Sequence, residues 1–247
     1  MKTEIRETKD GSTTLYVPEL NEHYHSVNGA LQESLHVFIR AGLEYALQYH
    51  RPIKLLEVGF GTGLNALLTL QYVLGKPYEV VYEALEKYPV SVELVNQMRF
   101  DKFILNPELL DYLPQLHTAP WHEPVPVLPN FELRKIQNDL VTYTLPSDYY
   151  NLIYFDAFAP EKQPELWTDE IFKKLYDALQ DGGILVSYCA KGSFKRSLKT
   201  AGFAVASLPG PAGKREMTRA VKKYNKSHSF HKEKAVLLKL NGGIYRL

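Results

Sequence analysis

The most constraining stretch of this 247-residue chain is LLEVGFGTGLN, residues 55–65, in which three glycines separate an apolar strand pattern from an apolar helix pattern. Glycine is needed where a backbone turns sharply and comes close to a ligand, since it adopts positive φ without strain. Downstream, short β-branched and aromatic runs alternate with helical patterns. This alternation predicts an α/β fold with a doubly wound, mostly parallel sheet, which binds ligands at the carboxyl ends of its strands.

The same patterns predict the individual elements. We expect helix 89–98 to begin at its proline and helix 168–180 to be capped by Thr168 and stopped by Asp181-Gly182-Gly183. The expected strands are 53–58, 78–85, 131–136, 151–155 and 183–189, and the expected helices are 64–74, 89–98, 168–180 and 193–202.

Two regions do not follow this alternation of strands and helices. Residues 1–50 form an N-terminal extension with one helical stretch, ALQESLHVFIRAGLEYALQY. Residues 101–130 carry six prolines and are predicted to form an irregular insertion or lid. We expect residues 1–247 to form a single domain that includes both regions.

Composition excludes several classes of protein. With 45% hydrophobic residues the chain can bury a substantial core, and no apolar run approaches the ~18 residues of a membrane span. The first residues lack the apolar segment of a secretory leader. A single cysteine, Cys189, predicts a cytoplasmic protein without internal disulfides, and the histidine spacing predicts no metal site.

Two cofactors compete for the glycine loop. A dinucleotide fold requires GxGxxG/A, which the residues from Gly61 to Ala66 satisfy. An S-adenosylmethionine fold requires an acid at the end of the strand followed by GxGxG, which Glu57 and the glycines from Gly59 to Gly63 satisfy. From the loop alone both alternatives stay open, although the complete acid-and-glycine pattern favours the methyl donor.

Acidic residues follow the next two strands. Glu86 lies about 20 residues beyond the loop, where a carboxylate can hold ribose hydroxyls in either kind of fold. Asp139 follows the third strand, where it suits an adenine contact and equally an ordinary turn. Neither residue decides between the two cofactors.

A further carboxylate ends the fourth strand. Asp156 follows NLIYF, and the segment from Asp156 through Phe158 to Pro160 is a loosened form of the (Asp/Asn)-Pro-Pro-(Tyr/Phe) pattern of amino-methylating enzymes. A carboxylate there can orient the N–H bonds of an attacking amine and relay a proton, and an aromatic ring can stack on a base. The alternative is an aspartate that caps a turn, with Phe158 in the core.

The charge distribution is uneven. Ten lysines and arginines lie between Lys191 and Lys226 against one acid, Glu216, in a chain whose net charge is +1. Such a segment predicts a polyanionic partner such as nucleic acid, and the alternative is a solvated helix face with a basic loop.

Four blocks together carry a family resemblance: GFGTGLNALL, LEKYP, FDAFAPEKQPELWT and GKREM. In this order, and with the N-terminal block NEHYHSVNGALQESLHVFI, they resemble the methyltransferase domain of the bifunctional tRNA-modifying MnmC family and its free-standing MnmD-type relatives, over about residues 20 to 220. That family converts 5-aminomethyl-2-thiouridine at the tRNA wobble position to its 5-methylaminomethyl form. The resemblance therefore implies S-adenosylmethionine as cofactor and the anticodon loop of a tRNA as partner.

The resemblance also implies roles for individual residues. Asp156 would hold the aminomethyl group and Phe158 would pack near the uracil, while Lys214 and Arg215 would lie on the RNA side. The residues implied for the cofactor are Glu57, Gly59, Gly61, Gly63 and Asn65 around its methionine part, Glu86 on the ribose, Asp139 near the adenine, and Tyr24, His25 and Ser26 as a cover.

One departure qualifies the resemblance. Bifunctional relatives carry a flavin-dependent domain that removes a carboxymethyl group first, and these 247 residues hold no further GxGxxG fingerprint. We therefore expect methylation of the aminomethyl nucleoside only, with another enzyme supplying that substrate.

Three other functions stay open. The chain could methylate a small amine or hydroxyl, or it could be an RNA-binding module that has kept the fold; a nicotinamide oxidoreductase is a more distant third. The sequence also leaves two roles open for Asp156, which can act as a base or only orient the amine.

Overall fold

The structure, a computed structural model, describes residues 2–102, 104 and 106–224. Its strands are β1 (Glu4–Glu7), β2 (Thr13–Val17), β3 (Glu22–His23), β4 (Ile53–Val58), β5 (Val80–Glu86), β6 (Pro124–Leu128), β7 (Phe131–Gln137), β8 (Tyr150–Phe155), β9 (Leu179–Ser187), β10 (Ala204–Pro209) and β11 (Glu216–Val221). Its α-helices are α1 (Ala30–Ser34), α2 (Glu44–Ala46), α3 (Leu64–Val73), α4 (Val92–Gln97), α5 (Pro107–Leu110), α6 (Tyr112–Thr118), α7 (Asp169–Ala178) and α8 (Gly192–Ala201).

Within these described residues the main sheet has eight strands, in the order β10-β11-β9-β8-β4-β5-β7-β6. The five central strands, β9 to β7, run parallel, whereas β11, β10 and β6 pair antiparallel at the two edges. This confirms the predicted doubly wound, mostly parallel α/β sheet. Strand β4 lies between β5 and β8, so the strand order reverses at its carboxyl end, where such folds bind ligands.

The helices begin and end largely where the sequence predicts. The Thr168 side chain accepts a hydrogen bond from the Ile171 N–H and caps α7, whose Phe172 and Leu175 are fully buried. Helix α8 ends at Gly202, which has φ +112°, a left-handed conformation that costs glycine little.

Two predicted boundaries are wrong. Helix α4 begins after Ser91, whose side chain accepts from the Leu94 N–H, so Pro89 precedes the helix. Helix α7 stops at Ala178, and Asp181-Gly182-Gly183 lies inside β9. The pairing of β9 with β8 jumps between Leu179 and Ile184, so β9 accommodates the glycines as an irregularity that local sequence does not reveal.

The N-terminal extension packs against the main sheet. Strands β1 to β3 form a small antiparallel sheet, and a π-helix, Leu35–Leu43, joins α1 to α2. Gly42 allows this π-helix to approach β8 and β9 closely, because a Cβ there would lie 3.0 Å from Val186 and 3.1 Å from Tyr154. One helical stretch was predicted, but its π segment was not. No helix among the described residues is long and apolar enough to cross a membrane.

The proline-rich insertion is not irregular, which corrects the prediction for residues 101–130. It contains α5, α6 and the edge strand β6, and its Leu109 and Leu116 are fully buried in the main core. Proline does not prevent this structure, because Pro107 lies in the first turn of α5 and Pro124 and Pro126 lie on exposed positions of the edge strand.

Candidate active site

A cleft opens at the carboxyl ends of β4, β5, β7 and β8, where the fold predicts a ligand site. Strand β4 leads into the glycine loop on one wall, and β8 leads into Asp156 and Phe158 on the other. The cleft is lined by Tyr24, His25, Val58, Gly59, Phe60, Gly61, Thr62, Leu64, Asn65, Leu85, Glu86, Lys87, Tyr88, Asn138, Asp139, Leu140, Asp156, Ala157, Phe158, Gln163, Glu165 and Leu166.

The glycine loop has the backbone that its sequence predicts. Gly59 has φ +92°, and a Cβ there would lie 2.8 Å from the backbone oxygen of Asp156. Gly61 has φ +52° and lies against the ring of Tyr24. Gly63 caps the N-terminus of α3 and does not line the cleft itself. The close approach of Gly59 to Asp156 brings the cofactor loop and the predicted catalytic carboxylate together.

The proline-rich insertion supports this loop from behind. The His117 Nε2–H donates to the Thr62 carbonyl at 3.0 Å, and burial lowers the pKa of His117 to about 4, so the imidazole is neutral. Lys135 on β7 donates to the His117 carbonyl. No sequence signal indicated either residue, because each acts through a partner far away in the chain.

Asn65 bridges two carboxyl groups. Its Nδ2 donates to Glu57 Oε1 at 3.0 Å and to Asp156 Oδ2 at 2.9 Å. Glu57 is fully buried beneath the cleft and does not line it. Burial, and after it the nearby Asp156 charge, raises the pKa of Glu57 well above its usual value. The structure therefore places Glu57 where it orients Asn65, and direct contact with a cofactor stays a prediction.

The floor of the cleft contains polar atoms suited to a cofactor. Among the described residues that line the cleft, Thr62 Oγ1 and Asn65 Oδ1 are buried without a hydrogen-bond partner. Buried polar groups normally have partners. The amino acid end of S-adenosylmethionine carries an ammonium and a carboxylate, so an acceptor and a hydroxyl beside a glycine loop fit that group.

Glu86 and Asp139 lie on the opposite side of the cleft. Glu86 accepts from the Gly61 N–H at 3.0 Å and from the Tyr88 N–H at 2.7 Å, and each carboxylate oxygen keeps a lone pair for a hydroxyl donor. Burial alone would raise the pKa of Asp139, but the hydrogen bonds from Lys87 and Val141 hold it below its ordinary value. Both positions fit the predicted ribose and adenine contacts.

The predicted N-terminal cover is only partly present. The ring of Tyr24 packs edge-on against that of Phe158, with centroids 5.0 Å apart, and His25 also lines the cleft. Burial raises the pKa of Tyr24 to about 12 and lowers that of His25 to about 4. Ser26 does not line the cleft: its N–H donates to Glu33 Oε1, and its hydroxyl accepts from the Asn28 N–H.

Asp156 is held by backbone and side-chain contacts. Its N–H donates to the Val58 carbonyl at 3.0 Å, which aligns the ends of β4 and β8. Burial, followed by the charge of Glu33, raises the pKa of Asp156 to about 7, against the opposing effects of Asn65 and Lys214. Both protonation states are therefore accessible near neutral pH.

The segment after Asp156 holds Phe158 by its backbone. The Phe158 N–H donates to Gln163 Oε1 at 2.8 Å, and its carbonyl accepts from Trp167 Nε1 at 2.9 Å. Gln163 and Trp167 of the FDAFAPEKQPELW block therefore hold the backbone of Phe158 in place. Gln163, together with Glu165 and Leu166, also lines the cleft, which the sequence analysis missed.

A second, more open cavity lies on the far side of the same segment. The Tyr188 hydroxyl donates to the Ala157 carbonyl at 2.8 Å and so forms part of the wall between the two cavities. The second cavity is lined by Ala159, Pro160, Tyr188, Cys189, Ala190, Lys191, Lys214, Arg215 and Glu216.

The basic segment is less available than its charge suggests. Lys195 pairs with Glu216, and Lys214 pairs with Glu33. Arg219 and Lys222 are buried, with Arg219 over the ring of Tyr45 at 3.5 Å. Lys226 lies outside the described residues. In the part of the chain that the structure describes, no group of three or more His, Cys, Asp or Glu could hold a metal ion.

Comparison with known proteins supports this interpretation of the cleft. Residues 131–223 match a family described as S-adenosyl-L-methionine-dependent methyltransferase. The crystal structure of MnmC2 from Aquifex aeolicus has a TM-score of 0.71 and 29% identity, and the match covers 98% of this chain and 76% of that one. A spermidine synthase from Thermotoga maritima, with TM-score 0.55 and 16% identity, covers 96% of this chain and 80% of that chain, and shares the fold.

Curated relatives agree. The tRNA 5-methylaminomethyl-2-thiouridine biosynthesis bifunctional protein MnmC of Cupriavidus metallidurans is 31% identical over 220 residues, covering 84% of this chain and 32% of that protein. The MnmC protein of Magnetococcus marinus is 31% identical over 224 residues, with the same coverage of 84% and 32%. This chain thus spans about a third of the length of these relatives.

The fold and the cleft define a Rossmann-like methyltransferase that uses S-adenosyl-L-methionine. This decides the choice between the two cofactors in favour of the methyl donor. Within that class, the chain has an MnmC methyltransferase-type domain, as its motifs predicted.

Proposed function

We propose that this protein transfers a methyl group from S-adenosyl-L-methionine to the aminomethyl nitrogen of 5-aminomethyl-2-thiouridine at the wobble position of tRNA. The observation that carries the proposal is the position of Asp156 on the cofactor cleft, directly before the segment that separates this cleft from the second cavity, which Arg215 lines. The MnmC relatives, whose names describe biosynthesis of this nucleoside, support the substrate.

The chain's own residues suit an amine acceptor. When bound, S-adenosyl-L-methionine supplies an electrophilic methyl group, which bonds to the nitrogen lone pair while the carbon–sulfur electron pair stays on sulfur. Asp156, oriented by Asn65, can accept a hydrogen bond from the amine and align its lone pair. One proton must leave the nitrogen, and a carboxyl group whose pKa is raised to about 7 is a better acceptor than one in water. Its orienting and relay roles therefore work together.

The aromatic wall separates the reaction from water. Tyr24 and Phe158 pack on each other above the glycine loop, which brings the N-terminal extension into the cleft. We therefore propose that the extension and the main sheet act as one methyltransferase unit. A flipped-out wobble base would enter on the side of the second cavity beside Pro160, with RNA phosphates near Arg215. The partner would be a tRNA anticodon loop in the cytoplasm, and another enzyme would supply the aminomethyl nucleoside.

The test uses labelled S-adenosyl-L-methionine and tRNA from cells that accumulate the aminomethyl wobble nucleoside. Wild type should form the methylaminomethyl nucleoside, and Asp156→Ala should lower kcat/KM by at least about 100-fold, within the usual range for proton-transfer groups. Asp177→Ala is the matched control, because Asp177 is an exposed acid paired with Lys173 on α7.

Separate binding measurements make the outcomes distinct. If wild type binds the cofactor by calorimetry but leaves this tRNA unmethylated, the substrate assignment is wrong and small amines are the acceptors to screen. If it binds neither cofactor nor methylates, the enzymatic role itself fails. If Asp156→Ala keeps full activity with intact fold, Asp156 is not the amine-binding group.

A further inference from the structure

A buried carboxylate outside the mechanism above belongs to Glu33 on α1. It is 6% exposed, and it accepts hydrogen bonds from the Ser26 N–H at 3.2 Å and from Lys214 Nζ. Lys214 comes from the loop between β10 and β11, so the pair joins chain positions 181 residues apart. Because desolvating two charges offsets much of their attraction, such a buried pair is weak support for a purely stabilising role.

A chain of contacts leads from this pair to the reaction centre. Lys214 Nζ lies 4.2 Å from the ring centroid of Tyr188, and the Tyr188 hydroxyl donates to the Ala157 carbonyl at 2.8 Å. Ala157 directly follows Asp156. Lys214 is therefore held over an aromatic ring at the wall between the two cavities, with its ammonium group bonded to Glu33.

The charged groups around Asp156 give this arrangement an electrostatic consequence. Burial raises the pKa of Asp156, the Glu33 charge raises it further, and the Asn65 hydrogen bond and the Lys214 charge lower it. Among the described residues, the Asp156 charge also acts on Glu57 on β4, Tyr82 on β5 and Tyr188 after β9, and burial favours the neutral form of all three.

We propose that Glu33 and Lys214 form a positioning pair for Asp156, in which Glu33 keeps Lys214 off the carboxylate and leaves that carboxylate free for the acceptor amine. Without Glu33, Lys214 would pair with Asp156 and compete with the amine. It follows that Lys214 serves the methyl-transfer centre, whereas its exposed neighbour Arg215 is the residue of this loop that contacts RNA phosphates. The inference rests on the proposed function for its catalytic meaning, but not for the ionisation of Asp156.

The neighbouring residues Lys214 and Arg215 provide a matched pair for the test. The first measurement is the titration of the Asp156 carboxyl carbon by NMR in the free protein, assigned with Asp156→Asn. Glu33→Gln should move its midpoint to lower pH and Lys214→Met to higher pH, each by about 0.5 unit or more, whereas Arg215→Met should leave it in place.

The second measurement is the salt dependence of tRNA binding. Arg215→Met should lower the slope of log K against log salt by about one, and Lys214→Met should leave that slope unchanged. In the methylation assay, Glu33→Gln should raise the KM for tRNA more than it lowers kcat, because Lys214 then competes with the amine.

Clear outcomes overturn the proposal. It fails if Glu33→Gln and Lys214→Met shift the Asp156 midpoint in the same direction or not at all, or if Lys214→Met reduces the salt slope as Arg215→Met does. The double variant Glu33→Gln/Lys214→Met guards against a folding artefact, since it removes both charges together and its midpoint should lie between those of the single variants. The titration needs neither tRNA nor cofactor, so failure of the proposed function leaves its result interpretable.

Discussion

The sequence indicated binding both for the glycine loop at 55–65 and for the basic segment at 191–226. The structure agrees with the prediction for the loop more closely than with that for the described part of the basic segment. The loop has the predicted backbone, with Gly59 at φ +92° against Asp156. In the basic segment, Lys195 pairs with Glu216, while Arg219 and Lys222 are buried. A glycine pattern specifies a local backbone shape, and only the local chain can satisfy it. A charge can be neutralised by a partner from anywhere in the fold, so a count of charges overstates the surface available to RNA.

The largest expected effect tests the loop. Gly59→Ala would place a Cβ 2.8 Å from the Asp156 backbone oxygen at a strained positive φ. We expect at least a 100-fold loss of cofactor affinity by calorimetry, about 2.7 kcal/mol. Gly75→Ala is the matched control, because Gly75 also has positive φ, at +69°, but has nothing within 4 Å of an added Cβ. An equal loss of cofactor affinity in both variants would show that backbone strain causes the loss, and not the close contact with Asp156.

The next prediction tests whether the basic segment is partly structural. Arg219→Met keeps the apolar stem but removes the guanidinium over the ring of Tyr45. The free energy of unfolding should fall by about 2 kcal/mol, because a desolvated cation–π contact is lost. The salt dependence of tRNA binding should not change. Lys223→Met at an exposed position should alter stability by less than about 0.5 kcal/mol. A reduced salt slope in Arg219→Met would contradict the comparison.

Asp156 lies against Gly59 of the glycine loop and is affected by the charge of Lys214 in the basic segment. Its contribution to the free energy of unfolding depends on pH. Its folded-state pKa of about 7 exceeds the ordinary 3.8, so the folded state binds this proton more tightly than the unfolded state. The free energy of unfolding of wild type should therefore fall as pH rises from about 4 to 7 and then level off. Relative to wild type, Asp156→Asn should be stabilised more at pH 8 than at pH 4 in urea denaturation, because asparagine does not ionise. A gain that is the same at both pH values would argue against a raised pKa.

The smallest expected effect separates paired from exposed charges within one helix. Arg196 is exposed on α8, whereas its neighbour Lys195 bonds Glu216 and Ser207. Arg196→Gln should weaken tRNA binding about threefold at low salt, less than 1 kcal/mol. Lys195→Gln should leave it nearly unchanged. Binding is measured by filter binding over a salt series. A larger loss in Lys195→Gln than in Arg196→Gln would show that internal pairing does not decide which charges contact RNA.

The sequence alone predicted most of what depends on local pattern. The strand–glycine–helix unit, the capping of α7 by Thr168 and the place of Asp156 at the end of β8 all follow from neighbouring residues. The contacts of Glu33 with Lys214 and of His117 with Thr62 were not predictable, because each joins elements distant in the chain. The glycines inside β9 were misread for the same reason, since their conformation is set by pairing with β8.

The prolines of the edge strand β6 have a consequence for how the protein behaves while it folds at high concentration. Pro124 and Pro126 carry no backbone N–H and occupy exposed positions of a strand whose inner side pairs with β7. A strand from another molecule that paired with this edge would have no backbone N–H donor opposite it at the two proline positions. Strand β6 is therefore a poor template for strands of other molecules. This edge of the sheet for that reason does not favour aggregation.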